Sequence, residues 1–151
     1  MIHQNGSARY AKIDLFRTEN NMMLLDSNII IYSAKPENSF LRQFIAEKEP
    51  AVSAISYVEA LGYHKLSSEE KLNLEGFFAS APMIMISQAI LDRAVKLRQT
   101  RKMSLGDSLV AGAALTYDLM LVTRNTDDFK WILDLKLLNP FEGRETGIAQ
   151  S

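Results

Sequence analysis

A chain of 151 residues with 47% hydrophobic side chains is long enough for one ordinary core and too short for two. It has no cysteine and only two histidines, His3 and His64, which excludes disulfides, thiol catalysis and a metal site built on thiolate or imidazole. Any metal must be held by oxygen ligands, favouring Mg²⁺ or Mn²⁺ over Zn²⁺. With 17 basic and 18 acidic residues the formal charge is −1, so no basic excess announces a nucleic-acid partner, although two bound divalent ions would raise the effective charge to about +3. No window is apolar enough to span a bilayer and the N-terminus lacks a signal-peptide core, so a cytoplasmic protein with no membrane partner is expected.

Residues 1–21 are polar and aperiodic, and we expect them to lie outside a single domain over 22–151. Residues 22–25 form a strand-length apolar run that stops at Asp26-Ser27-Asn28, where a helix is capped; Pro36 limits that helix to a turn or two. Over residues 36–49, Phe40, Leu41, Phe44 and Ile45 recur at helical spacing. Residues 51–55 read as a second strand, and Ser56-Tyr57-Val58-Glu59 has the Ser-x-x-Glu spacing of a capping box that opens the next helix. Ser67-Ser68-Glu69-Glu70 opens another, with Leu72, Leu74, Phe77 and Phe78 on its buried side. No strand precedes that box, which is read as purely structural; the spacing alone is not diagnostic.

Residues 83–86 are the third strand candidate, and Ser87 caps a helix to about Met103 whose far end is basic through Lys96, Arg98, Arg101 and Lys102. Ser104 starts a helix, ending near Asp118, that is small or apolar on every face from Leu109 onward, as a helix buried against a sheet reads. Residues 120–122 are the fourth strand, Asn125 caps the short motif containing Asp127 and Asp128, residues 135–138 offer a fifth strand, and 142–151 form a tail.

Strand and helix alternate, which argues for an α/β sandwich with a mainly parallel sheet, whose functional crevice lies outside the carboxyl ends of its strands. Asp26, Glu59, Asp107 and Asp128 all belong near that edge. Singly, each reads as a helix cap, and Ser104 with Asp107 has capping-box spacing. Jointly, four carboxylates at one edge repel each other, and a pair of Mg²⁺ or Mn²⁺ ions resolves the repulsion.

Leu24-Leu25-Asp26-Ser27-Asn28-Ile29-Ile30-Ile31-Tyr32, Ser53-Ala54-Ile55-Ser56-Tyr57-Val58-Glu59-Ala60-Leu61-Gly62, Ser104-Leu105-Gly106-Asp107-Ser108-Leu109-Val110-Ala111 and Val122-Thr123-Arg124-Asn125-Thr126-Asp127-Asp128-Phe129 resemble, in that order, the four motifs of PIN-domain ribonucleases. Order and spacing are most similar to the VapC-type toxins of type II toxin–antitoxin pairs. The resemblance implies a PIN-like α/β/α sandwich with a short, mainly parallel central sheet, Mg²⁺-dependent (or Mn²⁺-dependent) endonucleolytic cleavage of RNA, a cognate antitoxin and a homodimer. On matching positions it makes Asp26, Glu59, Asp107 and Asp128 the catalytic acids and metal ligands, with Ser27, Asn28, Thr123 and Asn125 supporting them. Ser56 stands where many relatives have Thr, and Asp127 beside Asp128 leaves the fourth acid open between the two.

The basic group Lys96, Arg98, Arg101 and Lys102 reads equally as a solvated helix end or as phosphate contacts, and Arg124 and Lys130 also flank the site. Phe129 and Trp131 read as core or antitoxin-contacting rather than base-stacking. Two rival functions differ in class. A haloacid-dehalogenase-like phosphatase wants a second Asp at the position of Asn28; a non-catalytic binding module would have no need of four acids.

Overall fold

The computed structural model describes residues 22–144; the expected N-terminal extension and most of the expected tail lie outside them. Five short strands form one wholly parallel sheet in the order β3-β2-β1-β4-β5: β1 (Met23–Leu25), β2 (Ala51–Ser53), β3 (Met83–Ile84), β4 (Met120–Val122) and β5 (Leu137–Leu138). Seven α-helices accompany it among the described residues: α1 (Ser27–Ser33), α2 (Ser39–Lys48), α3 (Ala54–Leu61), α4 (Ser68–Ser80), α5 (Gln88–Thr100), α6 (Leu105–Tyr117) and α7 (Thr126–Phe129).

Successive strand residues point to opposite sheet faces, and the core divides accordingly. Leu24, Ala51, Ile84 and Leu121 pack with α5, α6 and Phe129 on one side. Leu25, Val52 and Val122 pack with Ile29, Ile30, Leu41, Ala60, Leu74 and Phe78 from α1 to α4 on the other. The strands are buried on both faces, as a parallel sheet requires, and the expected three-layer sandwich is what forms. After β3 the chain crosses back through α5 and α6 to lay β4 on the far side of β1. The β1–β4 junction is therefore the point where strand order reverses, the place such sheets open a crevice.

Several local expectations are corrected. Ser56 does not cap a helix: Ser53 does, its Oγ accepting from the Ile55 N–H at 3.3 Å, so β2 ends two residues earlier and Ser56 lies inside α3, fully buried. Ser53 wins because its extended backbone (ψ 148°) sits where the strand ends. Leu72 is 68% exposed; α4 turns Leu74 and Phe78 inward instead. The third strand stops at Ile84, leaving Met85 and Ile86 exposed. Asn125 holds the N-cap position of α7 without a side-chain capping bond. The structural box at Ser67 and Glu70 forms in both directions.

The most extensive helix contact among the described residues is that of α5 with α6, and it passes over Gly112. A Cβ there would stand 3.0 Å from the carbonyl oxygen of Ile90 and 3.4 Å from the Ala94 nitrogen, both backbone atoms of α5. We expect Gly112→Val to force the helices apart and destabilise the fold by ~1–3 kcal/mol, lowering the melting temperature; an unchanged thermal melt would contradict a crossing that excludes a side chain at this position.

Candidate metal and nucleic-acid site

Asp26 ends β1 and begins α1. Its N–H donates to the Val122 carbonyl at 2.9 Å, continuing the β1–β4 ladder by one step. Its carboxylate accepts from the Ser27 N–H at Oδ1 (2.8 Å) and from the Thr123 hydroxyl at Oδ2 (2.8 Å). Thr123, buried at the end of β4, also accepts from the Asn125 N–H at 3.0 Å, so one hydroxyl ties the fourth motif to the first acid. Sequence reasoning placed Thr123 and Asn125 beside the site; that they act as one unit through the backbone of Asn125 was not visible there. Asn28 is exposed in the first turn of α1.

Glu59 arrives from α3. Ser27 Oγ donates to Glu59 Oε1 at 2.7 Å and lies 2.8 Å from Ser56 Oγ. A serine hydroxyl has one proton, and with that of Ser27 given to Glu59, Ser56 is the donor of the second bond. Ser56 and Glu59, three apart on one helix face, thus grip Ser27 together. That pairing was legible as a spacing and was read as a cap. Gly106 closes the other side: a Cβ on it would collide with the Glu59 carboxylate, meeting Cδ at 2.8 Å. The glycine leaves room for Glu59 to lie against the start of α6.

Asp107 stands in the first turn of α6. Ser104 Oγ accepts from its N–H at 3.0 Å, so the first half of the capping box forms, while the carboxylate lines a cleft of about 560 Å³. Asp128 lines the same cleft. Asp127 reaches its rim, 87% exposed and paired with Lys130 at 3.0 Å. Of the basic candidates, Arg101 and Lys102 line this cleft; Arg98 borders the neighbouring hollow and donates to the Met103 carbonyl at 3.3 Å, and Lys96 lines neither. The Arg124 guanidinium lies over the Phe141 ring at 4.1 Å and near Tyr32 at 5.6 Å and does not line the cleft.

Electrostatics tie the four acids together. Burial raises the Asp26 carboxyl from 3.8 to about 6; Thr123 and Ser27 oppose the rise by hydrogen bonding, and the charges of Asp107 and Glu59 add to it. Asp107 is raised too, by burial first and then by the charges of Asp128 and Glu59, with Ser104 countering. Asp107 is thus the member that feels all three others or is felt by them. Among the described residues no group of three acidic, imidazole or thiol side chains stands ready to clasp a metal ion. The donor set nonetheless fits Mg²⁺: the ligands are hard carboxylates, their mutual repulsion calls for a cation, and Mg²⁺ keeps several waters while binding through one or two carboxylates.

Because the folded carboxyl of Asp26 sits above its unfolded value, the folded state holds a proton that the unfolded state has released between pH 4 and 6. Stability from this group is highest below that window and falls as pH rises through it, by on the order of 3 kcal/mol. Asp26→Asn removes the charge and retains acceptor and polar partners for Ser27 and Thr123. We expect it to melt higher than the parent at pH 8 in EDTA and little differently at pH 4; a lower melting temperature at pH 8 would contradict a destabilising charge at this position.

The PIN domain family matches residues 23–132. No curated protein matches the chain. Among solved structures, a chain of a toxin–antitoxin complex from Klebsiella pneumoniae is 31% identical, with a TM-score of 0.64 over 80% of this chain and 98% of that one. A chain of VapBC2 from Rickettsia felis, bound to a promoter DNA fragment, is 22% identical with a TM-score of 0.67 over 78% and 98%. One of DNA-bound VapBC from Salmonella typhimurium is 20% identical with a TM-score of 0.68 over 80% and 99%. The last two speak for the fold alone. The match over most of the described residues, together with the acids gathered at the β1–β4 edge, places this chain in the PIN domain family.

Proposed function

We propose that the protein is the toxin of a toxin–antitoxin pair and acts as a Mg²⁺-dependent endoribonuclease. One observation carries the reading: carboxylates from β1, α3, α6 and α7 are electrostatically coupled at the carboxyl edge of the sheet, at the point where strand order reverses. Such coupling has a cost in the absence of a cation, and a purely structural set of caps would not need it. Asp26 and Asp107 are the principal ligands, with Glu59 and Asp128 holding a second ion or its waters; the coupling of Asp107 to Asp128 favours Asp128 over Asp127 as the fourth acid.

When bound, the ion supplies Lewis acidity at the phosphodiester and activated water. The chain does the rest. Thr123 and the Ser27 N–H hold the Asp26 carboxylate in one orientation, and the Ser56–Ser27 pair holds Glu59. Arg101 and Lys102 lie beside the acids and offset their repulsion of phosphate. Products carry 5′-phosphate and 3′-hydroxyl ends. The similarity to the Klebsiella pneumoniae complex supports an antitoxin partner; the homodimer rests on the family pattern. No helix among the described residues is long and apolar enough to cross a membrane.

Purified, antitoxin-free protein should cut an RNA pool with Mg²⁺ or Mn²⁺ and not with EDTA. Asp107→Asn should lose about 10²-fold or more in rate, as removal of a ligand worth several kcal/mol of charge stabilisation requires. Cleavage that persists in EDTA or in Asp107→Asn would overturn the metal mechanism, and absence of both cleavage and divalent-ion binding would leave a non-catalytic module.

A further inference from the structure

Trp131 lies two residues beyond α7, half-buried, with its inner side packed against the core cluster of α5 and α6. Its Nε1–H donates to the Asp128 carbonyl at 3.0 Å, which fixes the ring relative to one of the four acids. The Arg101 guanidinium lies over it, 5.5 Å from the ring centroid. Both side chains line the cleft that also holds Asp107 and Asp128. A ligand in this cleft therefore has the ring, a cation and two of the acids along its walls. The volume, about 560 Å³, is within the range of small-ligand sites.

We infer that the Arg101–Trp131 pair is a stacking platform for one unpaired base of the RNA strand, next to the phosphate that the acids and Lys102 surround. The inference rests on the reading of the protein as a ribonuclease and adds the base subsite. Aromatic rings and guanidinium planes are what single-stranded bases stack on, and stacking tolerates any base, since each has a π face. A protein partner fits less well. The ring is framed by cations and acids at the wall of a cleft, whereas the apolar surface that suits protein contacts lies elsewhere, at Leu91, Val95 and Leu105 on α5 and α6.

Trp131 is the only tryptophan of the chain, so its fluorescence reports the contact directly. The full chain carrying Asp107→Asn, to prevent cutting, is titrated with a single-stranded RNA of about eight nucleotides, followed by anisotropy of a labelled copy and by tryptophan emission with an unlabelled one. Saturable quenching at the concentration where anisotropy rises is expected. Adding Trp131→Ala should weaken binding by about 5- to 100-fold, and Trp131→Phe should recover most of it. The Trp131→Ala loss should persist at high salt, whereas Arg101→Ala should lower the salt slope of binding by about one. If Trp131→Ala fails to fold, quenching in the parent and the affinity of Trp131→Leu, which keeps apolar bulk against the core without a π face, decide. RNA binding without quenching and without loss in the Ala variant overturns the stacking subsite and leaves the ribonuclease reading standing, with the ring free for a protein contact. RNA that does not bind at all overturns both.

Discussion

The carboxylate of Asp26, 5% exposed at the end of the central strand, is the group around which the rest is arranged. A charge in that position loses hydration, and only part of the loss is returned by the Ser27 N–H and the Thr123 hydroxyl. Its location follows from topology. β1 lies between β2 and β4, so its carboxyl end is walled by the ends of both neighbours, and reversal of strand order there separates the connections enough to open a crevice. The core supports this placement from both sides: Leu24 and Leu25, fully buried on opposite faces, anchor β1 and hold the acid that follows it at the floor of the crevice. Stability is given up at this residue in a fold whose layers can bear the loss.

Glu59 answers a different constraint. It is exposed, on a helix, and its side chain could sample several rotamers. Two hydroxyls and one absent side chain restrict it. Ser56 donates to Ser27, Ser27 to Glu59, and the bare backbone at Gly106 receives the carboxylate on the opposite side. The second motif is thereby held to the first and the third. The separation of the acids into a buried one and more exposed ones also limits the repulsion among them, since charges open to water are screened and the buried one carries a raised pKa.

Much of this arrangement could be read from the sequence. The strands were marked by short apolar runs ending in polar residues, and the period-two burial of Leu24 against Leu25 and Leu121 against Val122 agrees with a sheet covered on both sides. The third strand was overextended because Met85 and Ile86 are apolar, although nothing covers them. Helix starts were harder. Serines at positions 53 and 56 both have cap chemistry, and the choice depends on where the strand's extended backbone ends, a property of pairing with β3 rather than of local spacing. Coupling between acids from four separate elements, and the close approach that Gly106 permits, depend on long-range packing and leave no local mark.

The segment around the fourth acid shows how far a local pattern can go once its frame is known. Residues three apart share a helical face, and α7 with the turn after it sorts into three such pairs. Phe129 and Ile132, 1% and 6% exposed, face the core. Asp127 and Lys130 face solvent and pair with each other. Asp128 and Trp131 are joined by a hydrogen bond and border the cleft. The adjacent acids are therefore not equivalent: Asp127 has a cation of its own to neutralise it, while Asp128 faces the like charge of Asp107. The adjoining aromatics are not equivalent either, because Phe129 and Trp131 stand two residues apart and so on opposing sides of the turn. One ring closes the core, and the other is available to whatever enters the cleft.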